Sequence, residues 1–254
     1  MGKQKIVVIG GTGFIGSKIS RLLAQAGHDV VAAAPATGVN TVTGDGLADV
    51  LKGADIVIDV SNAMSFDPGE VRRFFEASGH NLTEAARAAG VNHHVVLSIV
   101  GVDRMPGNGY FQGKLLQEQI VASADLPYTI VRSTQFFEFL GTIADAYTVG
   151  GHVALSGGQF QPIAAEDVAS ILAGVATGAP INGIVEVGGL ERGPFDRMVD
   201  RYLRGRHDSR PVRRNPNADY FGGSVEDLSL VPIGQHRLGA IEFDGWLSSQ
   251  STNH

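Results

Sequence analysis

Continuous apolar runs of strand length recur along the chain, at residues 6–9, 29–34, 55–60, 94–100, 128–132 and 184–187. The runs at 6–9, 55–60 and 94–100 read as strands buried on both faces, and the others read as strands. Stretches of helical period separate them. After the first run, Ile15, Ile19, Leu22, Leu23 and Ala26 fall on one helical face, and Gly27 supplies the C-terminal stop. Further helices are predicted over residues 47–52, 68–89 and 110–122, and another opens at 162–169. Phe74, Phe75, Leu82, Ala85 and Ala86 are the core candidates of the 68–89 helix, Gly90 ends it, and Asn108 is the candidate cap of the 110–122 helix. A short strand is expected over residues 40–43, followed by a turn at Gly44-Asp45-Gly46. Strands alternating with helices predict an α/β chain built on a doubly wound parallel sheet with right-handed crossovers. A second part begins after the three phenylalanines of residues 134–139, takes in 150–156, and becomes less regular beyond Gly193.

The first run ends in Gly10-Gly11-Thr12-Gly13-Phe14-Ile15-Gly16, with glycines at 10, 13 and 16 between a strand and a helix. Gly10 lets the strand turn sharply, Gly13 lets a pyrophosphate approach the backbone, and Gly16 lets the helix pack closely. The free N–H groups and dipole of the helix start then attract the phosphates. The rival phosphate loop fails on order: Gly11 to Lys18 has the length but ends Gly16-Ser17-Lys18. Where dinucleotide folds carry an acid after the second strand, this chain reads Ala32-Ala33-Ala34-Pro35-Ala36-Thr37. No carboxylate repels a 2′-phosphate there, which tilts the cofactor towards NADP(H) with NAD(H) still open. Neither Arg nor Lys is present to hold that phosphate, so Ala34, Thr37 and backbone N–H groups near Gly38 are the candidate contacts. Asp45 reads either as a partner of the adenine amine or as a turn residue. The strand at 55–60 ends in Ser61-Asn62-Ala63, a small polar tip expected under the cofactor.

Composition narrows the choices. The chain has 254 residues with 43% hydrophobic content, enough for one large α/β domain with a small lobe. A net charge of −6 gives no general affinity for nucleic acid. The absence of cysteine excludes disulfides, thiolate catalysis and cysteine-based metal centres. With no apolar run of membrane length and no signal ahead of the first strand, the expectation is a cytoplasmic, soluble protein. His93 and His94, adjacent on a strand, point to opposite faces and are not spaced as metal ligands, so no metal is expected. The arginines between 201 and 214 are interspersed with acids and read as a solvated face rather than an anion site.

The candidate chemistry lies at residues 98–114. Tyr110 and Lys114 are four apart at a helix start, hence on one face. The ammonium is expected to lower the tyrosine pKa towards the working pH, helped by the helix N-terminus. Ser98 lies at the carboxyl end of a central strand, where ligands of open parallel sheets bind. Together they form a proton-donating device for carbonyl reduction: Ser98 bonds the substrate oxygen, Tyr110 donates the proton, and Lys114 tunes Tyr110 and holds the nicotinamide ribose.

The glycine turn, Ser98, Tyr110-Phe111-Gln112-Gly113-Lys114 and Pro162-Ile163-Ala164-Ala165-Glu166-Asp167-Val168-Ala169 resemble an atypical short-chain dehydrogenase/reductase of the NmrA-like, NAD(P)H-binding branch. The resemblance covers roughly residues 5–190. It implies a Rossmann core over 1–135 plus about 163–190, and a small C-terminal substrate-binding lobe over 136–162 and 191–254. It also implies NAD(P)H, with Gly10, Thr12, Gly13, Phe14 and Ile15 around the pyrophosphate. Ser61, Asn62 and Ala63 then pass beneath the adenosine side, with Thr134 or Gln135 near the nicotinamide. The branch often carries an Arg after the second strand, which this chain replaces by Ala34-Pro35-Ala36. Some members lack the tyrosine and act as redox-sensing regulators.

The expected function is an NADP(H)-dependent oxidoreductase interconverting a ketone or aldehyde and its alcohol. Its pocket is expected between core and lobe, with Phe136, Phe137, Phe139, Phe160, Tyr220 and Trp246 as wall candidates selecting an apolar or aromatic substrate. The rivals are a non-catalytic NAD(P)H sensor and an isomerase or epimerase with retained NAD. The expected partner is a small carbonyl or alcohol molecule, with neither nucleic acid nor membrane, and a homo-oligomer is left open.

Overall fold

A computed structural model describes residues 2–251 of the chain. In order, its elements are β1 (Lys5–Ile9), α1 (Phe14–Gln25), β2 (Asp29–Ala33), α2 (Leu47–Leu51), β3 (Ile56–Asp59), α3 (Pro68–Ala88), β4 (His93–Ile99), α4 (Gly109–Ala122) and β5 (Tyr128–Ser133). There follow α5 (Leu140–Ala146), β6 (Thr148–Val149), β7 (His152–Leu155), β8 (Gln159–Phe160), α6 (Ala165–Ala176) and β9 (Gly183–Gly188). The chain ends through β10 (Gly193–Pro194), α7 (Phe195–Gly205), β11 (Val212–Arg214), β12 (Arg237–Leu238) and α8 (Phe243–Ser251). The central sheet is parallel and seven-stranded, in the order β12-β9-β5-β4-β3-β1-β2, with flanking helices. This is the Rossmann-type arrangement that the alternating pattern predicts.

Residues 40–43 correct one expectation, since they form a turn and not a strand. The Asn40 side chain accepts the Val42 N–H at 2.9 Å, and the Asn40 carbonyl accepts the Gly44 N–H at 2.9 Å. An Asn that satisfies the next amides itself competes with a sheet ladder. β2 therefore forms the sheet edge.

The chain divides into two compact units. The first comprises the chain up to Ser98, Gly109–Arg132 and Val168–Val185. The second comprises Ile99–Asn108, Ser133–Asp167 and the chain from Glu186 onwards. In the first unit, β1 pairs with β2 and β3, and β3 with β4, all parallel. Val7, Ile9, Ala33, Val57, Leu82 and Ala86 meet in one core under α2 and α3. α3 starts where Asp67 caps the Glu70 N–H at 2.9 Å, with Pro68 in the first turn. α3 and α4 pack closely because glycine occupies the contact: a Cβ on Gly113 would lie 2.6 Å from Val71 Cγ1 and 2.9 Å from Phe75 Cδ2. That glycine sits between Tyr110 and Lys114.

The second unit holds a three-stranded sheet β11-β7-β6 and the pair β10-β8. Its aromatic rings form the core, with Phe160 4.5 Å from Phe195 and Phe137 4.9 Å from Phe243, centroid to centroid. Four of the six arginines between 201 and 214 are paired with acids: Arg201 with Glu191 and Asp244, Arg204 with Asp200, Arg210 with Asp145 and Asp208, and Arg214 with Asp196. Among the described residues, no helix is long and apolar enough to cross a membrane.

The β4 histidines do face opposite sides. His93 bonds the Ala176 carbonyl at 3.1 Å and Thr129 Oγ1 at 2.9 Å. His94 is 1% exposed, its ring nitrogens make no hydrogen bond, and burial lowers its pKa to about 4 against the attraction of Asp59.

Two stability predictions follow from these contacts. A Cβ on Gly16 would lie 2.1 Å from the Gly10 carbonyl oxygen, a backbone atom that cannot rotate away. Gly16→Ala is therefore expected to cost about 1–3 kcal/mol in urea unfolding, and a stability equal to wild type would refute the contact. For His94, the folded pKa lies below the unfolded value, so its contribution is complete above pH 6.5 and is lost as pH falls towards 4. From pH 7 to 5 this group alone removes about 2 kcal/mol. Urea unfolding of His94→Leu at both pH values should show that much smaller a loss than wild type, whereas equal losses would contradict a neutral buried His94.

Candidate functional site

Gly10 takes φ +76°, a conformation natural only to glycine, and turns β1 back towards α1. A Cβ there would meet the Val60 carbonyl oxygen at 3.0 Å and the Ser61 nitrogen at 3.1 Å, so the turn is pressed against the tip of β3. Gly13 caps α1 in extended geometry with no side-chain hydrogen bond to the helix start. Thr12, Gly13 and Phe14 are exposed, and Ile15 is buried in the helix face. A bare helix N-terminus behind an exposed glycine is what a pyrophosphate requires, so the residues present fit a dinucleotide.

The turn after β2 is self-contained. Thr37 Oγ1 accepts the Ala34 N–H and donates to the Ala34 carbonyl, both at 2.9 Å. The two candidate contacts are therefore spent on each other. Asp45 likewise accepts from Thr43 Oγ1 at 2.6 Å, the turn role of its two readings.

Tyr110 is partly buried at the start of α4, and its hydroxyl donates to Asn62 Oδ1 at 2.8 Å. The structure thus joins the polar tip Ser61-Asn62-Ala63 to the tyrosine. Burial pushes the Tyr110 phenol up to about 12, and the Asn62 bond opposes this only in part. This corrects the expectation of a lowered tyrosine pKa. The Lys114 ammonium donates to Gln117 Oε1 at 2.5 Å. Lys114 is 4% exposed, and its Nζ lies 4.8 Å from the centre of the Phe75 ring. Burial lowers its pKa to about 8, against the attraction of Asp59 and Glu118. Ser98 ends β4 with 2% exposure and no partner for its hydroxyl, and the Ser61 hydroxyl is also unpartnered.

Sequence reasoning missed two residues here. Gln117 Nε2 donates to Asp59 Oδ2 at 2.7 Å, so a buried carboxylate stands behind Lys114. The visible signal was an acid at the end of an apolar strand run, and a Gln one helical turn after Lys114. Glu118 is buried too, but Arg132 Nε and Nη2 engage both its oxygens, at 2.9 and 2.7 Å.

In the second unit, Thr134 Oγ1 and both amide atoms of Gln135 are buried without partners, leaving them for a ligand or water. The aromatic candidates differ in exposure. Phe137, Phe160, Tyr220 and Trp246 are 2%, 0%, 2% and 9% exposed and pack into the unit's core. Trp246 lies 5.2 Å from Phe137, and Tyr220 5.9 Å from Phe195. Only Phe136 and Phe139 of the six keep partial exposure. The Asn108 Nδ2 donates to the Tyr220 carbonyl at 3.0 Å.

Residues 10–178 match the family described as NAD(P)H-binding. Among curated relatives, the chain is 30% identical over 222 residues to the chloroplastic divinyl chlorophyllide a 8-vinyl-reductase of Oryza sativa subsp. indica, covering 72% of this chain and 54% of that protein. It is 29% identical over 151 residues to the photosystem II assembly factor Ycf39 of Synechocystis sp., covering 54% of this chain and 46% of that one. The chain thus spans about half the length of the curated relatives it matches. Among solved structures, dTDP-4-dehydrorhamnose reductase of Bacillus anthracis, in complex with NADP, aligns with a TM-score of 0.75 at 14% identity, over 100% of this chain and 99% of that one. A short-chain dehydrogenase/reductase superfamily protein of Agrobacterium tumefaciens with bound NAD aligns at 0.70 and 18% identity, over 98% and 96%. These structural likenesses show the fold, which is of the NAD(P)-dependent oxidoreductase type. The family match over the glycine turn, α1 and α4 decides the assignment: the chain belongs to the NAD(P)H-binding family.

Proposed function

We propose that this chain is an NADP(H)-dependent reductase that interconverts a ketone or aldehyde bearing an apolar or aromatic part and its alcohol. The observation that carries this reading is the Ser98 hydroxyl, buried at a strand end without a hydrogen-bond partner. A buried unpaired hydroxyl costs about 1–3 kcal/mol, a cost that a substrate oxygen accepting its proton would remove. Gly10, Thr12, Gly13, Phe14 and Ile15 would hold the cofactor pyrophosphate, and Ser61 to Ala63 the adenosine side. The preference for NADP(H) rests on the carboxylate-free end of β2.

NADPH held by these residues would supply the hydride for the carbonyl carbon. Ser98 donates a hydrogen bond to the carbonyl oxygen and orients it. Tyr110 gives its phenolic proton to that oxygen as the C–O π bond breaks, so hydride and proton together complete the alcohol. Lys114, cationic below about pH 8, stabilises the phenolate left behind and holds the nicotinamide ribose. Tyr110 releases Asn62 to reach the substrate.

A second reading, a non-catalytic NAD(P)H-sensing protein, draws on two observations. The Tyr110 phenol is held by Asn62 with its pKa raised, and one relative is named an assembly factor. The other relative is named a vinyl reductase, so the substrate panel must include conjugated C=C bonds.

The deciding experiment follows oxidation of NADPH and of NADH with aryl and alkyl ketones, aldehydes and enones. Tyr110→Phe is expected to lower kcat by about 100-fold or more while leaving the cofactor Kd within about twofold. Turnover unchanged in that variant would remove the mechanism, and no turnover by wild type despite tight cofactor binding would favour the sensor. In the wild type, kcat for reduction should fall as pH rises through about 8, where Lys114 loses its proton. Full activity held to pH 10 would show that the Lys114 charge is not required.

A further inference from the structure

Both oxygens of Asp59 are committed. The carboxylate ends β3 at 1% exposure. Its Oδ1 accepts the main-chain N–H of Ser61 at 2.9 Å, and its Oδ2 accepts from Gln117 Nε2 at 2.7 Å. Each contact leads to a residue of the proposed acid–base device. Ser61 is followed by Asn62, which receives the Tyr110 hydroxyl at 2.8 Å. Gln117 receives the Lys114 ammonium on its other amide atom.

The second branch has only one workable polarity. An ammonium donates and cannot accept, and an ionised carboxylate accepts and cannot donate. A carboxamide between them must turn its NH₂ to Asp59 and its oxygen to Lys114. Asp59 thus sets the orientation of Gln117, which is fully buried and has no solvent alternative.

Charge points the same way. Two acids influence Lys114, Asp59 from β3 and Glu118 from its own helix. Both oxygens of Glu118 are held by Arg132, which neutralises its charge locally. α3 contributes the face of the Phe75 ring. His94 shares the sheet face of Asp59 through the register Val57↔His94 and Asp59↔Val96, and its lowered pKa leaves it uncharged at neutral pH. Asp59 is therefore the net counter-ion of Lys114.

Resting on the reductase reading, we propose that Asp59 is the positioning residue of this site, fixing Lys114 through Gln117 and the Tyr110-binding Asn62 through the Ser61 amide. An acid in a run of apolar strand residues is otherwise a cost without return. A residue serving only to brace the Ser61 turn would need one acceptor oxygen and no charge.

The test reads Lys114 directly. The chain has five lysines, few enough to resolve the ε-carbon signals of protein grown on ¹³C-lysine, with Lys114→Arg identifying the signal of interest. The wild-type midpoint is expected near 8. Asp59→Asn keeps the shape and removes the charge, and should lower that midpoint by about one unit or more. Gln117→Leu cuts the relay and leaves Asp59 in place, and should also lower it, because the ammonium loses its acceptor. Both should reduce kcat with the best carbonyl by about tenfold, with near-native thermal unfolding for Gln117→Leu. A midpoint that stays at the wild-type value in folded Asp59→Asn overturns the proposal. If Asp59→Asn does not fold, an unmoved midpoint in Gln117→Leu overturns it. The titration needs no turnover, so a wild type that reduces no carbonyl would defeat the reductase reading while the relay was still judged by the midpoint.

Discussion

Three pieces of backbone meet at the glycine turn with no room for a side chain between them. Gly10 touches the tip of β3, Gly16 brings the first turn of α1 onto the Gly10 carbonyl, and Gly11 lies where a Cβ would be 2.6 Å from the Val8 carbonyl oxygen and 2.7 Å from the Ala32 Cα. A dinucleotide site needs the helix start bare and close to the strand end, and these contacts supply both. They also fix where β3 stops. Asn62 reaches Tyr110 because the β3 tip is pinned between Gly10 on one side and the Asp59 carboxylate on the other.

What the sequence made legible was whatever repeats locally. The buried strands, the glycine spacing and the four-residue separation of Tyr110 and Lys114 are each contained within a few turns of chain, and the structure places them accordingly. What it hid depends on distant partners. Asp59 and Gln117 are 58 residues apart, and neither position distinguishes a relay from an ordinary strand end and helix residue. The aromatic residues illustrate the same limit. Phe137 and Phe136 are neighbours in a phenylalanine-rich stretch, yet one is core and the other partly exposed, a difference fixed by Phe243 and Trp246 about a hundred residues on. The turn at 40–43 failed for a local reason: Asn40 satisfies the amides that a strand would have paired.

The polar interior of the first unit is not there for stability. Asp59, Gln117, Lys114, Glu118 and Arg132 are all below 9% exposed. Removing charges from water to this depth costs several kcal/mol per ion, and such a pair often contributes less than an apolar packing of the same volume. An arrangement like this is retained for the geometry it imposes. Glu118 and Arg132 close on each other, so that Arg132 offsets the Glu118 charge felt by Lys114. The lysine is left with one carboxamide and one aromatic face, a confined position for an ammonium that would otherwise sample many rotamers.

The pKa directions bear on which way a proton would travel. With its phenol pushed up to about 12, Tyr110 is protonated throughout the neutral range, and in that state it can donate but cannot accept. A resting site of this kind is set for reduction, where a proton must leave the tyrosine as an alkoxide forms. Oxidation would require the phenolate beforehand, and burial opposes that charge. In the proposed reduction, the cost of forming the phenolate would fall on the moment of reaction, when the Lys114 ammonium and a water-excluding substrate would act on it together. Lys114, lowered to about 8, keeps its charge at neutral pH by a narrow margin, to which Asp59 and then Glu118 contribute. Under the proposed mechanism, the proton donor and its electrostatic partner would both trace to one carboxylate on β3, which no substrate or cofactor need touch.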